Sequence, residues 1–215
     1  MENLTEEQKK ELEIKEVKDK ITEILNIGEV EELIKSNEKI FEENGITYRV
    51  KKPDAKQKKE TYEKKIEKFT ELLRNDKFVL EKDLKELYLK RGIDIDGMTK
   101  KIREKMNSRD DLMFRLGEAI KNKAPIPDLE TFKKEIQSLN EEIQDLSIEK
   151  TKYLEASIEQ QVMIHTYSYL TYLIGEKKEG ENWVRIWNSW EEFENDKDKI
   201  ANRISYYTTL MSSLE

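Results

Sequence analysis

The sequence predicts a mainly α protein: a long antiparallel, coiled-coil-like helical hairpin on a small helical base, with one or two short β-hairpins. Three observations predict it. Of 215 residues, 40% are charged and 36% apolar, with seven glycines and three prolines. That is the composition of long solvated helices rather than of an enzyme with a large core. Apolar groups recur at alternating steps of four and three through Met98, Ile102, Met106, Met113, Leu116 and Ile120, with Arg109 in one slot. They do so again through Phe132, Ile136, Leu139, Ile143 and Leu146, which is a coiled-coil-like stripe. Between the runs, Ala124-Pro125-Ile126-Pro127-Asp128 ends the first helix, because proline lacks an N–H and clashes with the preceding turn. Asp128 is expected to cap the second helix.

The chain divides into four expected segments: a helical arm, 1–38; a β-hairpin plus helices, 39–97; the helical hairpin, 98–153; and a helical base with a short strand, 154–215. Disorder does not suit the periodic apolar residues, which include three Trp, nine Tyr and six Phe. There is no cysteine, which excludes disulfides and thiolate metal sites. No window has the apolar length to cross a bilayer. The acidic opening Met1-Glu-Asn-Leu-Thr-Glu-Glu lacks the regions of a secretory signal, so a cytosolic protein is expected. The net charge of −7 argues against a generic nucleic-acid binder.

In the arm, Leu12, Ile14, Val17, Ile21, Ile24 and Leu25 make a narrow stripe after the N-cap candidate Thr5. Gly28 breaks this helix, and 30–36 predicts a short one. The arm is either a solvated helix with a docking stripe or a detachable partner-binding element. Asn44-Gly45 then predicts a tight hairpin, since both turn positions need positive φ. Ile46, Tyr48 and Val50 share one strand face, with Ile40 and some help from Phe41 opposite them. Two strands alone are marginal and must find a helix or a third strand.

Pro53 ends the second strand, and Asp54 opens a helix to about residue 74, whose expected buried stripe is Tyr62, Ile66, Phe69, Leu72 and Leu73. Residues 51–65 carry seven lysines against Asp54, Glu60 and Glu63, a local balance of +4. Lys51, Lys52, Lys56, Lys58 and Lys59 are therefore candidate partner-binding residues. They form either a solvated face or a surface for an acidic protein or a nucleic-acid backbone. No aromatics interleave with them for base stacking.

A helix over 80–90, with Leu84, Leu87, Tyr88 and Leu89 apolar, ends at Arg91-Gly92. Asp94-Ile95-Asp96-Gly97 is not a calcium loop, because its first and last ligand positions would be Gly92 and Arg103. Asp96 is expected to cap the hairpin helix. The second hairpin helix is expected to continue past Leu146, with a change of phase near Tyr153 to Leu154, Ile158, Val162, His165, Tyr169 and Tyr172 or Leu173. His165 is the one histidine and has no cysteine or second histidine with which to share a metal. It is expected as a partly buried group on a tyrosine-rich face, and nothing singles out a nucleophile for it.

Residues 175–180 are expected as a polar turn and 182–187 as a strand. Ser189 and Glu192 fit a capping box for a short helix. Asp196 or Asp198 opens the last helix, with Ile200, Ile204, Tyr207 and Leu210 or Met211 inward. In a strand, Trp183 and Trp187 point to one side. The pair either packs on Ile200, Ile204, Tyr207 and Tyr169 or forms an exposed anchor, and both tryptophans join the candidate partner-binding residues.

The segment Tyr48-Arg-Val-Lys-Lys-Pro-Asp-Ala-Lys-Gln57, the helix after it, and Leu89-Lys-Arg-Gly-Ile93 resemble the opening of small accessory structural proteins of tailed bacteriophages. Those proteins are grouped with tail assembly chaperones and similar virion-assembly factors. They also continue through a charged helical hairpin to a C-terminal aromatic strand and helix, as residues 183–193 do here. The resemblance covers roughly residues 40–195, without the N-terminal arm, and transfers no site residue. It implies a non-enzymatic protein–protein interaction factor of a tailed phage, acting as an assembly chaperone or accessory virion structural protein. The implied partner is another phage structural protein or a further copy of the chain, met through helices, in the host cytoplasm or in association with the virion. The alternative is a phage-encoded regulator or inhibitor that binds a host protein or nucleic acid through residues 51–65. No catalytic motif, cofactor-binding motif, metal cluster or membrane segment is expected.

Overall fold

Asn44 and Gly45 have φ of 53° and 76° and close the predicted hairpin between β1 (Glu38–Glu43) and β2 (Ile46–Lys51). This computed structural model describes residues 36–122, 124–196 and 199–213. The arm expected over 1–35 lies outside the described residues. The hairpin does find its third strand, and a fourth. β3 (Gly175–Glu179) pairs with β2, and β4 (Asn182–Arg185) pairs with β3, in an antiparallel sheet of order β1-β2-β3-β4. Residues 175–180, expected as a polar turn, instead begin with a strand. This strand forms because the backbone groups of β2 need partners on both edges, which Gly175, Glu176 and Lys177 supply opposite Val50, Arg49 and Tyr48. Register also corrects the hairpin's inner face. Phe41 lies opposite Tyr48, whereas Ile40 lies opposite Arg49 and is exposed.

The other described elements are helices, so the fold is mainly α with a small antiparallel sheet. They are α1 (Ala55–Leu73), α2 (Glu81–Leu89), α3 (Ile95–Lys121), α4 (Ile126–Leu154), α5 (Ile158–Ile174), α6 (Trp190–Asn195) and α7 (Lys199–Ser213). The chain separates into two compact units.

One unit includes Lys85–Leu154 and contains the antiparallel hairpin of α3 and α4. Leu116, Ile120 and Ile136 are buried together near its turn, with Leu112, Met113, Leu129 and Phe132 packed on them. Further from the turn the seam departs from the expected stripe. Met106 is exposed, and the neighbouring Lys105 instead forms an ion pair with Glu142 of α4. Asp94, not Asp96, caps α3: its carboxylate accepts from the Gly97 amide at 2.8 Å, while Asp96 pairs with Lys85 at 2.9 Å. Asp128 is not a cap either. α4 begins two residues earlier at Ile126, which leaves Asp128 in the first turn, where its charge suits the helix dipole.

The other unit draws its described residues from 36–84 and 155–213. Residues 39–84 of one expected segment and 155–213 of another therefore belong to this unit, while 85–97 fall in the unit of the hairpin. The core of this unit joins Phe41, Tyr48 and Val50 of the sheet to Tyr169, Leu170, Leu173 and Ile174 of α5 and to Ile200, Ile204, Tyr207 and Met211 of α7. The continuous helix expected through residue 172 is broken. α4 ends at Leu154, and α5 begins after Ser157, whose hydroxyl accepts from the Gln160 amide at 3.1 Å. The amide of Ile158 donates to the carbonyl of Val79 at 2.9 Å, which holds the new start in place. The change of apolar phase near Tyr153 marks this break.

At its other end α5 passes into β3 with no loop. Gly175 sits at that junction with φ of −76°, an ordinary value. Space, not conformational freedom, requires glycine there. A Cβ would lie 3.0 Å from the Trp187 ring and 3.2 Å from the Ile204 side chain.

Candidate functional site

α1 is the element on which sequence and structure disagree most, and the disagreement defines a surface. Asp54 caps it: the carboxylate accepts from the Gln57 amide at 2.8 Å, and the Gln57 side-chain oxygen accepts from the Asp54 amide at 3.0 Å. The Gln57 amide nitrogen then donates to the Leu173 carbonyl at 2.9 Å. That carbonyl lies in the last turn of α5, where helix geometry leaves oxygens without an intrahelical donor. One glutamine therefore completes a cap and satisfies a helix end, and so fixes how α1 is rotated. The Tyr169 hydroxyl adds a bond to Glu60 at 2.7 Å.

With this rotation the buried residues of α1 are Gln57, Thr61 and Leu72. The expected buried stripe is mostly turned outward. Tyr62 is 61% exposed, Ile66 50% and Leu73 51%, while Phe69 is half-buried against Leu72, Ile158 and Val162. Spacings of four and seven put Tyr62, Ile66 and Leu73 on one side of the helix. Hydrophobic periodicity located the stripe but could not say which side of the helix a polar contact would claim.

The five lysines proposed from the sequence do not form one patch. Lys51 belongs to β2 and pairs with Glu176 at 2.7 Å. Arg49 Nε also donates to Glu176, at 2.8 Å. Burial by itself raises the Glu176 pKa, but these cations hold it below the usual carboxylate range. Lys52 lies between β2 and α1, and its amide donates to the Asn37 carbonyl at 2.8 Å. Lys56, Lys58 and Lys59 are exposed on α1, Lys59 lying 3.8 Å from Glu63. At 100° per residue, Lys58 and Lys65 follow one edge of the Tyr62–Ile66–Leu73 stripe and Lys59 lies on the other.

The two tryptophans separate as well. β4 ends at Arg185, so Trp187 lies beyond the strand rather than in it. Trp187 is 2% exposed, packs in the sheet–α5–α7 core and donates its indole N–H to Asp196. Its burial removes it from the candidate partner-binding residues. Trp183 remains half-buried on β4, with the Arg49 guanidinium 4.4 Å from its ring centre.

A cleft of about 470 Å³ is lined by Lys64, Glu67, Lys68 and Glu71 of α1, His165 and Tyr169 of α5, and Trp190 and Glu194 of α6. Ion pairs at 2.7 Å (Lys64–Glu67) and 2.9 Å (Lys68–Glu71) form one wall. His165 meets Trp190 edge-on at 5.3 Å and Tyr169 at 6.4 Å. Sequence reasoning placed His165 on a tyrosine-rich face but missed the cleft, which depends on the rotation of α1. Burial and then Lys68 push the imidazole pKa below its ordinary value, against the opposing pull of Glu194 and Glu71. Burial and Glu60 push the Tyr169 hydroxyl up.

A pH dependence follows from His165. Its pKa is near 6.5 when unfolded and lower when folded. As pH falls through that interval the unfolded chain takes up the proton first, so stability present above about pH 6.5 is lost toward acid. Glu67 and Glu176, both held low, titrate below this window. The denaturation midpoint should fall between pH 7 and pH 5, and fall less in His165→Gln. A variant whose decline matches the unmodified chain would exclude His165 as the cause.

Among the described residues no three potential metal-ligating side chains converge, and no helix is long and apolar enough to cross a membrane. No known protein family, curated protein or solved structure matches the chain.

Proposed function

We propose that this chain is a non-enzymatic interaction factor that binds another protein through its helices. Its setting is the assembly of a tailed phage, where it acts as a chaperone or accessory virion structural protein in the host cytoplasm or on the virion. The observation that carries the binding role is the outward stripe of Tyr62, Ile66 and Leu73 on a helix whose opposite side is held by polar bonds. Large apolar groups gathered on one exposed face mark interaction surfaces. The resemblance of residues 40–195 to phage accessory proteins supports the setting.

The test is co-expression with the structural proteins encoded beside it. One of them should co-purify with the unmodified chain, and Tyr62→Lys with Ile66→Lys should abolish capture while leaving the melting temperature within a few degrees. Capture that survives the double substitution would remove α1 from the interaction. The regulator alternative rests on the lysines of residues 51–65. Tight DNA or RNA binding that weakens steeply with salt would favour it over the assembly role.

A further inference from the structure

We infer that the outer face of α1 is built to receive an acidic amphipathic helix of the partner, a proposal that rests on the interaction reading above and names the partner's chemistry. Three features converge on this face. Tyr62, Ile66 and Leu73 span twelve residues, eleven steps or about 16 Å of helix at the usual rise. That is the length over which one helix lays three or four apolar side chains into another. The residues beside the stripe are cationic: Lys58 and Lys65 follow one edge and Lys59 flanks Tyr62 on the other. Within α1, residues 55–65 hold five lysines against Glu60 and Glu63, a balance of +3, in a chain whose net charge is −7. Positive charge therefore flanks the Tyr62 end of the exposed stripe. Finally, α1 cannot roll to bury the stripe against α5. Rolling would break the Gln57–Leu173 and Tyr169–Glu60 bonds and turn Gln57 and Thr61 outward.

An acidic helix fits each feature. Its apolar side covers the stripe, and its flanking carboxylates meet Lys58, Lys59 and Lys65. A basic helix would place like charges along both edges, at a cost in affinity and association rate. A second copy of this face would do the same.

The experiment uses the full chain and two labelled synthetic 18-residue helices, followed by fluorescence anisotropy. Both carry leucines at steps of four, three and four, one with glutamates on the flanks and the other with lysines. The glutamate peptide should bind at least tenfold more tightly than the lysine peptide, and more weakly as NaCl rises. Ile66→Lys with Leu73→Lys should abolish binding without lowering the melting temperature, since both side chains are half exposed. Equal affinity for the two peptides, or binding indifferent to the substitutions, would overturn the assignment. So would sedimentation showing a dimer that Ile66→Lys converts to monomer, or peptide binding seen only after removal of residues 1–35. If the peptides fail while capture of the co-expressed partner still depends on Tyr62 and Ile66, the acidic-helix assignment falls and the interaction reading stands.

Discussion

Trp187→Ala should lower stability by about 3–5 kcal/mol, the range for deleting a large aromatic from a packed interior. Trp187 occupies the junction where β3 leaves α5 and where α7 crosses. Its ring lies 3.0 Å from the position a Gly175 Cβ would take and meets Phe193 edge-on at 4.8 Å. Truncation opens a cavity lined by parts of the sheet and two helices, and it leaves Asp196 without the indole donor. A urea melt of the variant beside the unmodified chain measures the loss. Trp183→Ala is the control: its ring lies under Arg49, outside this core, and the cost should be much smaller. An unchanged midpoint for Trp187→Ala would mean that the ring is not the centre of this core.

Leu116→Ala should cost about 2–5 kcal/mol, the range for emptying a buried leucine site. Leu116 is fully buried between α3 and α4 with Ile120 and Ile136. Phe114, two residues earlier, is 70% exposed despite its larger side chain. Phe114→Ala should therefore fall within about 0.5 kcal/mol of the unmodified chain. Hydrogen exchange of the α3 and α4 amides would read both variants. Faster exchange across both helices is expected for Leu116→Ala, and near-native exchange for Phe114→Ala. Equal effects would mean that Leu116 is not at the centre of the hairpin seam.

The elements were legible wherever local chemistry acts alone. Asn44-Gly45 specifies a hairpin because few residues tolerate positive φ in succession. Pro125 sets the hairpin's turn because proline cannot continue α3, and Pro127 falls in the first turn of α4, where a missing N–H costs no helical bond. Ser189 caps α6 as expected, its hydroxyl accepting from the Glu192 amide at 3.1 Å, although the Glu192 carboxylate accepts from the Asn188 amide rather than from that of Ser189. Where two neighbouring groups can do the same job, the expectation slipped by a residue or two. Asp94 took the cap from Asp96, Phe41 took the inner face from Ile40, and Lys105 entered the seam where Met106 was expected.

The sequence by itself determined that this protein is mainly helical, that residues 98–146 fold back as an antiparallel pair, and that residues 39–50 form a hairpin. Each depends on interactions within a few residues or on a period that one helix carries alone. Only the tertiary structure decided which side of α1 faces solvent, that residues 175–179 are a strand, and that Trp187 is interior while Trp183 is not. The physical reason is the same in all three. A buried backbone carbonyl at the end of α5, the open edge of β2 and the space beside Gly175 each require a partner distant in sequence. Such requirements leave no period in the chain. The candidate interaction surface was legible as a set of residues, Tyr62, Ile66 and Leu73, but its exposure was not, because that follows from the bond between Gln57 and Leu173.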